Sequence, residues 1–385
     1  MNSIVRLIKD WTLPVAMLTG AVVYLIFANV PALAPIAEWY APYNPTVMPI
    51  FMFGILFVTF CKIDFHKLLP VRWHWRVLLQ QALFVFLVVG VVLLFRLRGE
   101  WLILMESVLA CIIGPCAAAA AVVTAKLGGS LEEMTTYTFL SNFLTAILIP
   151  ICFPLIEPSG DRSFTEALLK ILADVSLVLI IPMALAYIVK HFFHRLHRFI
   201  VGVKDLSYYL WGVSLTIVTG TTVMNICHAG TSVGFILLVA LLSLLLCFFQ
   251  FGTGRFIGHF SHNTVEAGQA LGQKNTAFAI WIAAAYLNPL STVGPGCYIV
   301  WQNVINSLEI WSCRRKGNEH YVLLPAENKP LAASLRPMGA PRADEEGATP
   351  GCRLTHKDDG GHLAAVGAAH GRRRAMHGRR WGDVD

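Results

Sequence analysis

Long apolar runs alternate with short polar stretches along most of the chain. Runs of about 20 residues, the length a helix needs to cross a bilayer core of ~30 Å, follow one another until about residue 313. Ten are read, at roughly 11–30, 44–62, 74–95, 100–128, 131–156, 166–190, 205–227, 230–254, 263–287 and 290–311, the fourth and ninth being the least regular. Pro31, Pro35 and Pro42 mark the loop after the first run, and Pro158, Ser159 and Gly160 mark a polar break after the fifth. Beyond Gly317 the chain turns to Gly, Ala, Arg and His with few large apolar residues. Such a segment cannot bury enough surface to offset its ordering entropy, so 313–385 is expected to be a disordered cytoplasmic tail.

Lys and Arg accumulate on the cytoplasmic side of membrane proteins, and this tests the count. With the N-terminus inside, the inside loops hold fifteen such residues: Arg6, Lys9, Lys62, Lys67, Arg72, Arg76, Lys126, Lys190, Arg195, Arg198, Lys204, Arg255, Arg314, Arg315 and Lys316. The outside loops hold three, Arg96, Arg98 and Arg162. Removing one span scrambles this pattern, so both termini are expected in the cytoplasm and the protein in the inner (plasma) membrane. Ten spans split at the polar break into five and five, and an odd number per half forces the second half to enter upside down. The expected fold is therefore all-α and polytopic, with two inverted five-helix repeats, 1–156 and 157–312, and discontinuous fourth and ninth helices.

Composition narrows the class further. Of 385 residues 56% are hydrophobic and 14% charged, against about 25% charged in soluble domains. Mean hydropathy is +0.61. A large soluble protein is excluded on these numbers. The net charge of +7 arises from cytoplasmic loops and tail rather than from a nucleic-acid footprint. The first run is too long for a signal-peptide core and is read as a retained helix. The nine cysteines form no CxxC or Cys/His spacing, so they are read as packing residues and no metal or cofactor is expected. There is no HExxH, no GxSxG and no intramembrane Asp pair, which argues against an enzyme and against a sodium/proton antiporter.

Two stretches carry the candidate chemistry. The fourth span holds Ile113-Gly114-Pro115-Cys116 followed by Ala117 to Ala121. Proline lacks an N–H and breaks or kinks a helix, and alanines let another backbone approach. The ninth span runs from Glu266 through Gly272, Gln273, Lys274 and Asn275 to Thr276, polar groups that are costly at membrane depth. Either alone reads as a kink. Together, at matching positions of two halves, they point to a transport site.

Gly272-Gln273-Lys274-Asn275, Val300-Trp301-Gln302-Asn303 and Ser307-Leu308 resemble the E-T-G-M-Q-N and V-W-H-N-x-x-G-S-L stretches of the bile acid:sodium symporter family. Met52-Phe53-Gly54, Asp64-Phe65 and Gly114-Pro115 resemble its second-, following- and fourth-span motifs, so the resemblance covers about residues 10–312, as a divergent bacterial-type member. It implies a panel of spans one, two, six and seven, a core of three to five and eight to ten, and carriage of organic anions, often with two sodium ions. On that alignment the family's Ser-Asn sodium ligands fall on Ala119 and Ala120, its Glu on Ala270 and its Gln on Lys274. Gln81, Thr138, Ser141 and Asn142 still match polar positions. Cys116, Ala117, Lys274, Asn275 and Gln302 are the expected substrate contacts, with bare amide groups at the helix ends attracting the anion.

A methyl group cannot coordinate sodium. The expectation is that the Lys274 ammonium replaces one bound cation and pairs with the substrate, making transport sodium-independent. Burial disfavours a charged lysine, which leaves proton coupling open. Against both stand a Lys274 that snorkels to an interface, or one paired with Glu266 or Glu106. A sodium-coupled symporter with a divergent site and a non-transporting sensor on the same fold also remain. The expected partners are a small organic anion and the lipid bilayer, with no nucleic acid and no obligate protein partner. Weaker signals are Glu106 as a proton carrier, an i,i+4 pair of Lys170 and Asp174, and a polar stripe of Thr216, Thr219, Thr221, Thr222 and Asn225 facing either a cavity or neighbouring helices.

Overall fold

The computed structural model describes residues 12–40, 43–157, 163–203, 206–228 and 230–315. The chain divides into two units, Met1–Arg353 and Leu354–Asp385, and every described residue lies in the first. Of the expected disordered tail 313–385, residues 313–315 instead continue the last described helix, which ends at Arg315; the rest of it, the polar break at Pro158 to Gly160, and Pro42 lie outside the described residues.

Among the described residues fourteen α-helices follow in order: α1 (Thr12–Asn29), α2 (Ala34–Tyr40), α3 (Asn44–Cys61), α4 (Arg72–Phe95), α5 (Glu100–Ile113), α6 (Ala120–Lys126), α7 (Leu131–Ile156), α8 (Phe164–Phe192), α9 (His194–Gly202), α10 (Leu206–Cys227), α11 (Val233–His259), α12 (Thr264–Gly272), α13 (Thr276–Tyr286) and α14 (Val293–Arg315). There is no named strand among the described residues. Five helices are long and apolar enough to cross a membrane by themselves: α4, α7, α8, α11 and the Tyr209–Cys227 part of α10. A sixth candidate is Val15–Asn29 with Pro31–Trp39, bent by 98°. The shorter apolar pieces are Thr46–Cys61 and Thr276–Tyr286.

The expected fourth and ninth spans are each split into two short helices, which is why neither qualifies as one crossing element. α14 is long but interrupted by Gln302, Asn303, Asn306, Ser307 and Glu309, which lowers its apolarity. Pro31 and Pro35 do not mark an open loop. Pro31 starts a short 3-10 turn and Pro35 sits in the first turn of α2, a position where a missing N–H costs nothing. The polar stretch after α8 also folds, as α9, with basic residues on one side and Ile200 buried.

The lipid-facing character is plain in α4 and α11. Leu79, Leu83, Phe86, Leu87 and Leu94 are exposed on the first, and Leu237, Leu241, Leu245, Phe248 and Phe249 on the second. Helical stripes of large exposed apolar side chains on helices this long are stable only against acyl chains. The chain is a multi-pass membrane protein.

Helix contacts fall into two groups. α1, α3, α8, α9 and α10 pack among themselves, and α4 to α7 pack with α11 to α14. The groups meet where α7 packs on α8, α10 on α13 and α14, and α3 on α13. α11 and α12 form a tight hairpin. A Cβ on Gly254 would lie 2.3 Å from the Ala267 carbonyl oxygen, so only glycine permits the approach. This hairpin carries the second break to the middle of its group.

Candidate functional site

Both breaks have a local cause. α5 ends at Ile113 because Pro115 has no N–H to give and its ring excludes the helical conformation for Gly114, which is extended (φ −56, ψ 148). α12 ends at Gly272, and α13 restarts after Asn275, whose side-chain oxygen caps it by accepting the Phe278 N–H at 3.2 Å.

The two extended segments cross. Cys116 and Lys274 form an isolated antiparallel bridge. Its bonds run from the Ala117 N–H to the Gln273 carbonyl (2.9 Å) and from the Asn275 N–H to the Pro115 carbonyl (2.8 Å). A broken helix inside a membrane frees backbone groups that water cannot satisfy, and here each break satisfies the other.

Side chains complete the count, and the same tasks recur on both sides. On the first break, Thr145 donates to the Ile113 carbonyl at 2.9 Å, and Ser141 accepts the Cys116 N–H at 2.8 Å. Gln81 donates to the Gly114 and Ile113 carbonyls at 3.2 and 3.3 Å. On the second, the Tyr298 hydroxyl donates to the Gly272 carbonyl at 2.7 Å, and Gln302 accepts the Lys274 N–H at 2.9 Å. Gln302 also donates to the Lys274 carbonyl at 3.2 Å, and Gln250 holds the Tyr298 oxygen at 2.9 Å. α4 and α7 thus serve the first break as α11 and α14 serve the second. The same exchange appears further out. Glu106 of α5 accepts the N–H of Asn288 at 3.1 Å, and Glu266 of α12 accepts the N–H of Ser130, the cap of α7, at 2.8 Å.

These bonds alter one expectation. The amides of Asn275 and of the backbone at Cys116 and Ala117 are expected bare, yet these and the Lys274 amide are all taken, because an unpaired N–H in an apolar interior costs more than the polar side chains that satisfy it. The unpartnered charged donor at the crossing is instead the Lys274 ammonium. Lys274 is 1% exposed, and its Nζ meets no hydrogen-bond partner among the described residues. It pairs with neither Glu266 nor Glu106, whose carboxylates accept from Ser130 and Asn288, and at this burial it does not snorkel. The Cys116 thiol lies within its electrostatic reach.

The positions aligned with sodium ligands divide. Ala120 and Ala270 are fully buried in one apolar cluster with Trp73, Met134 and Tyr137, whereas Ala119 is exposed. Thr138 donates back to the Met134 carbonyl at 2.9 Å, and Asn142 to the Thr138 carbonyl at 3.0 Å. The Oδ1 of Asn142 and the Oε1 of Gln81 are buried without a partner among the described residues. Of the expected substrate contacts, Ala117 and Asn275 are partly exposed, while Cys116, Lys274 and Gln302 are buried.

A cavity of about 230 Å³ lies where the two helix groups face each other, lined by Met48 of α3, by Val218, Thr221, Met224 and Asn225 of α10, by Ile280, Trp281, Ala284 and Ala285 of α13, and by Pro289. Two members of the polar stripe line it, and Asn225 also spans the gap by donating to Thr292 at 2.9 Å. The stripe's threonines otherwise donate to their own helix, four residues back. Lys170 and Asp174 are not an ion pair. The Tyr286 hydroxyl donates to Asp174, and the Lys170 ammonium sits 5.8 Å from the centre of the Tyr286 ring. A tertiary partner on α13 replaces the local one. The cavity's apolar lining residues carried no signal in the sequence, since Met48 and Trp281 read as ordinary span residues.

No metal-holding group of three or more His, Cys, Asp or Glu occurs among the described residues. The cysteines described are all free, most of them buried.

A comparison with curated proteins gives no match. A family model described as the Sodium Bile acid symporter family matches residues 49–246, a little over half of the 385-residue chain. The match starts within α3, takes in the whole of the first broken helix and stops within α11, before the second. On that match the chain belongs to the sodium bile acid symporter family, whose members are transporters and not enzymes.

Proposed function

We propose that the protein carries a small organic anion, a carboxylate or sulfonate, across the inner membrane by alternating access, with the Lys274 ammonium standing in place of a bound sodium ion. The carrying observation is that Lys274 is 1% exposed at the crossing of two broken helices with no partner for its Nζ among the described residues. An isolated ammonium in an apolar interior is strongly unfavourable, and a negatively charged solute is the natural counter-charge. The eleven-residue α13 directs its N-terminus at the same place, which adds a favourable dipole end.

The reading includes ten crossings in two inverted halves, with both termini cytoplasmic. The matching bonds at the two breaks support it: Thr145 and Ser141 serve the first as Tyr298 and Gln302 serve the second. The charge distribution of the loops supports the orientation. The cavity between α3, α10 and α13 is the entry to the crossing, and the two helix groups are the bodies that move. The burial of Ala120 and Ala270 among apolar side chains supports sodium independence, since neither position offers an oxygen.

A second reading, sodium-coupled symport through a divergent site, is favoured by the unpartnered oxygens of Gln81 and Asn142. It lacks a carboxylate to balance the ion. The test is uptake into proteoliposomes preloaded with the same unlabelled anion, from a panel of small carboxylates and sulfonates, with a sodium gradient, a proton gradient or none. Uptake of at least one anion without a gradient of either cation is expected. No uptake of any member overturns the transport reading.

A further inference from the structure

Four acidic or basic side chains are buried among the described residues: His74, Glu106, Glu266 and Lys274. Both carboxylates are held by backbone N–H groups. One oxygen of Glu106 is without a partner, but its other oxygen is held, whereas the Lys274 ammonium meets no hydrogen-bond partner at all among the described residues. Its main chain is pinned on both sides, by Gln302 at its N–H and carbonyl and by the bridge to Cys116. The Cys116 thiol lies within its electrostatic reach, and Nζ has no hydrogen-bond partner among the described residues through which a proton could leave.

A carrier built this way has a problem on its return stroke. Loaded, the ammonium is neutralised by the solute. Empty, it must be moved through the transition between the two faces as an isolated charge in an apolar interior, which is the costly case. A carboxylate-based site that picks up cations empties to a different balance, whereas here the positive charge is carried by a side chain of the protein itself.

Resting on the anion-carrier reading above, we infer that the protein is an obligatory exchanger: it moves one monovalent organic anion inward for one outward, and the empty form does not cross. One ammonium balances one negative charge, so the exchange of two monoanions moves no net charge and needs neither a sodium nor a proton gradient.

The experiment uses the full chain in proteoliposomes and two permanently ionised monoanions as probes, taurocholate and benzenesulfonate, which do not leak as neutral acids. Uptake of labelled probe is compared between vesicles preloaded with the same unlabelled probe and vesicles holding buffer alone. The expected result is initial uptake at least about tenfold faster into preloaded vesicles, unchanged when a potassium diffusion potential is imposed. Lys274→Gln should lower that ratio to near one, and Lys274→Arg should retain part of it, with thermal unfolding in detergent confirming that both variants fold. Equal uptake into loaded and empty vesicles overturns exchange and leaves the anion-carrier reading standing. Uptake into empty vesicles that appears only with an inside-alkaline gradient also overturns it, in favour of a proton carried with the anion. No uptake of either probe in any condition overturns both readings.

Discussion

Lys274 sits opposite Cys116 in the one strand-like pairing found among the described residues, and that pairing is what holds two broken helices across each other. The relation is reciprocal. Each break supplies one carbonyl and one N–H to the other, through Gln273 with Ala117 and Pro115 with Asn275. A residue whose main chain is committed in this way leaves only its side chain to act, and in Lys274 that side chain ends in an unmet ammonium.

The clamps on the crossing are therefore expected to control stability before they control transport. Ser141→Ala leaves the Cys116 N–H buried without an acceptor, and Gln302→Leu leaves the Lys274 N–H and carbonyl in the same state. An unsatisfied buried group costs about 1–3 kcal/mol, so Gln302→Leu should lower the unfolding temperature in detergent by clearly more than Ser141→Ala. Equal, negligible shifts for both would mean that the crossing is held by something else.

Glu106 and Glu266 give a charge-neutral test of their role. Each accepts a backbone N–H from the far side of the crossing. Glu266→Gln keeps an acceptor oxygen and should leave thermal stability within about 1 kcal/mol of the parent, whereas Glu266→Ala strands the Ser130 N–H at about 1–3 kcal/mol. A glutamine variant as damaged as the alanine one, measured by thermal unfolding, would show that the charge itself is required.

Close packing of α11 on α12 is equally specific. A Cβ at Gly272 would lie 2.3 Å from the Phe251 ring. Gly272→Ala should cost at least about 1–3 kcal/mol through overpacking, and Phe251→Leu in the same chain should recover part of it. The comparison of the single and double variants by thermal unfolding checks this, and a double variant less stable than the sum of the singles would contradict it.

The cavity between α3, α10 and α13 should behave as the route to the crossing. Ala284→Phe puts a ring into a space of about 230 Å³ and is expected to cut organic-anion uptake at least tenfold while leaving the unfolding temperature nearly unchanged. Uptake at the parent rate would place the route elsewhere.

How much of this was legible in the sequence varies by kind of feature. The breaks were legible because they have local causes, the Gly114-Pro115 pair and the polar run from Glu266 to Thr276 within apolar surroundings. The all-helical, membrane-spanning character was legible because it is a matter of length and apolarity. What each freed backbone group would bond to was not. The sequence reading left the amides of Cys116 and Ala117 bare, since nothing in those residues announces Ser141 from α7 or Gln273 from the other break. Lys170 and Asp174 failed for the same reason. Their spacing favours a local pair of about 0.2–0.5 kcal/mol, which a tertiary partner such as Tyr286 easily outweighs. Pro31 and Pro35 read as loop markers because proline breaks helix interiors, yet both occupy helix starts, where that penalty vanishes.

The central claim is that a fixed ammonium has taken over from a bound cation. The most direct measurement is the initial rate of organic-anion uptake by the unmodified protein in proteoliposomes preloaded with the same unlabelled anion, with sodium present and with sodium fully replaced by N-methylglucamine. The account predicts the same rate in both, and a marked loss in Lys274→Gln in either medium. Uptake that falls to background when sodium is withdrawn, and that Lys274→Gln leaves intact, would contradict it.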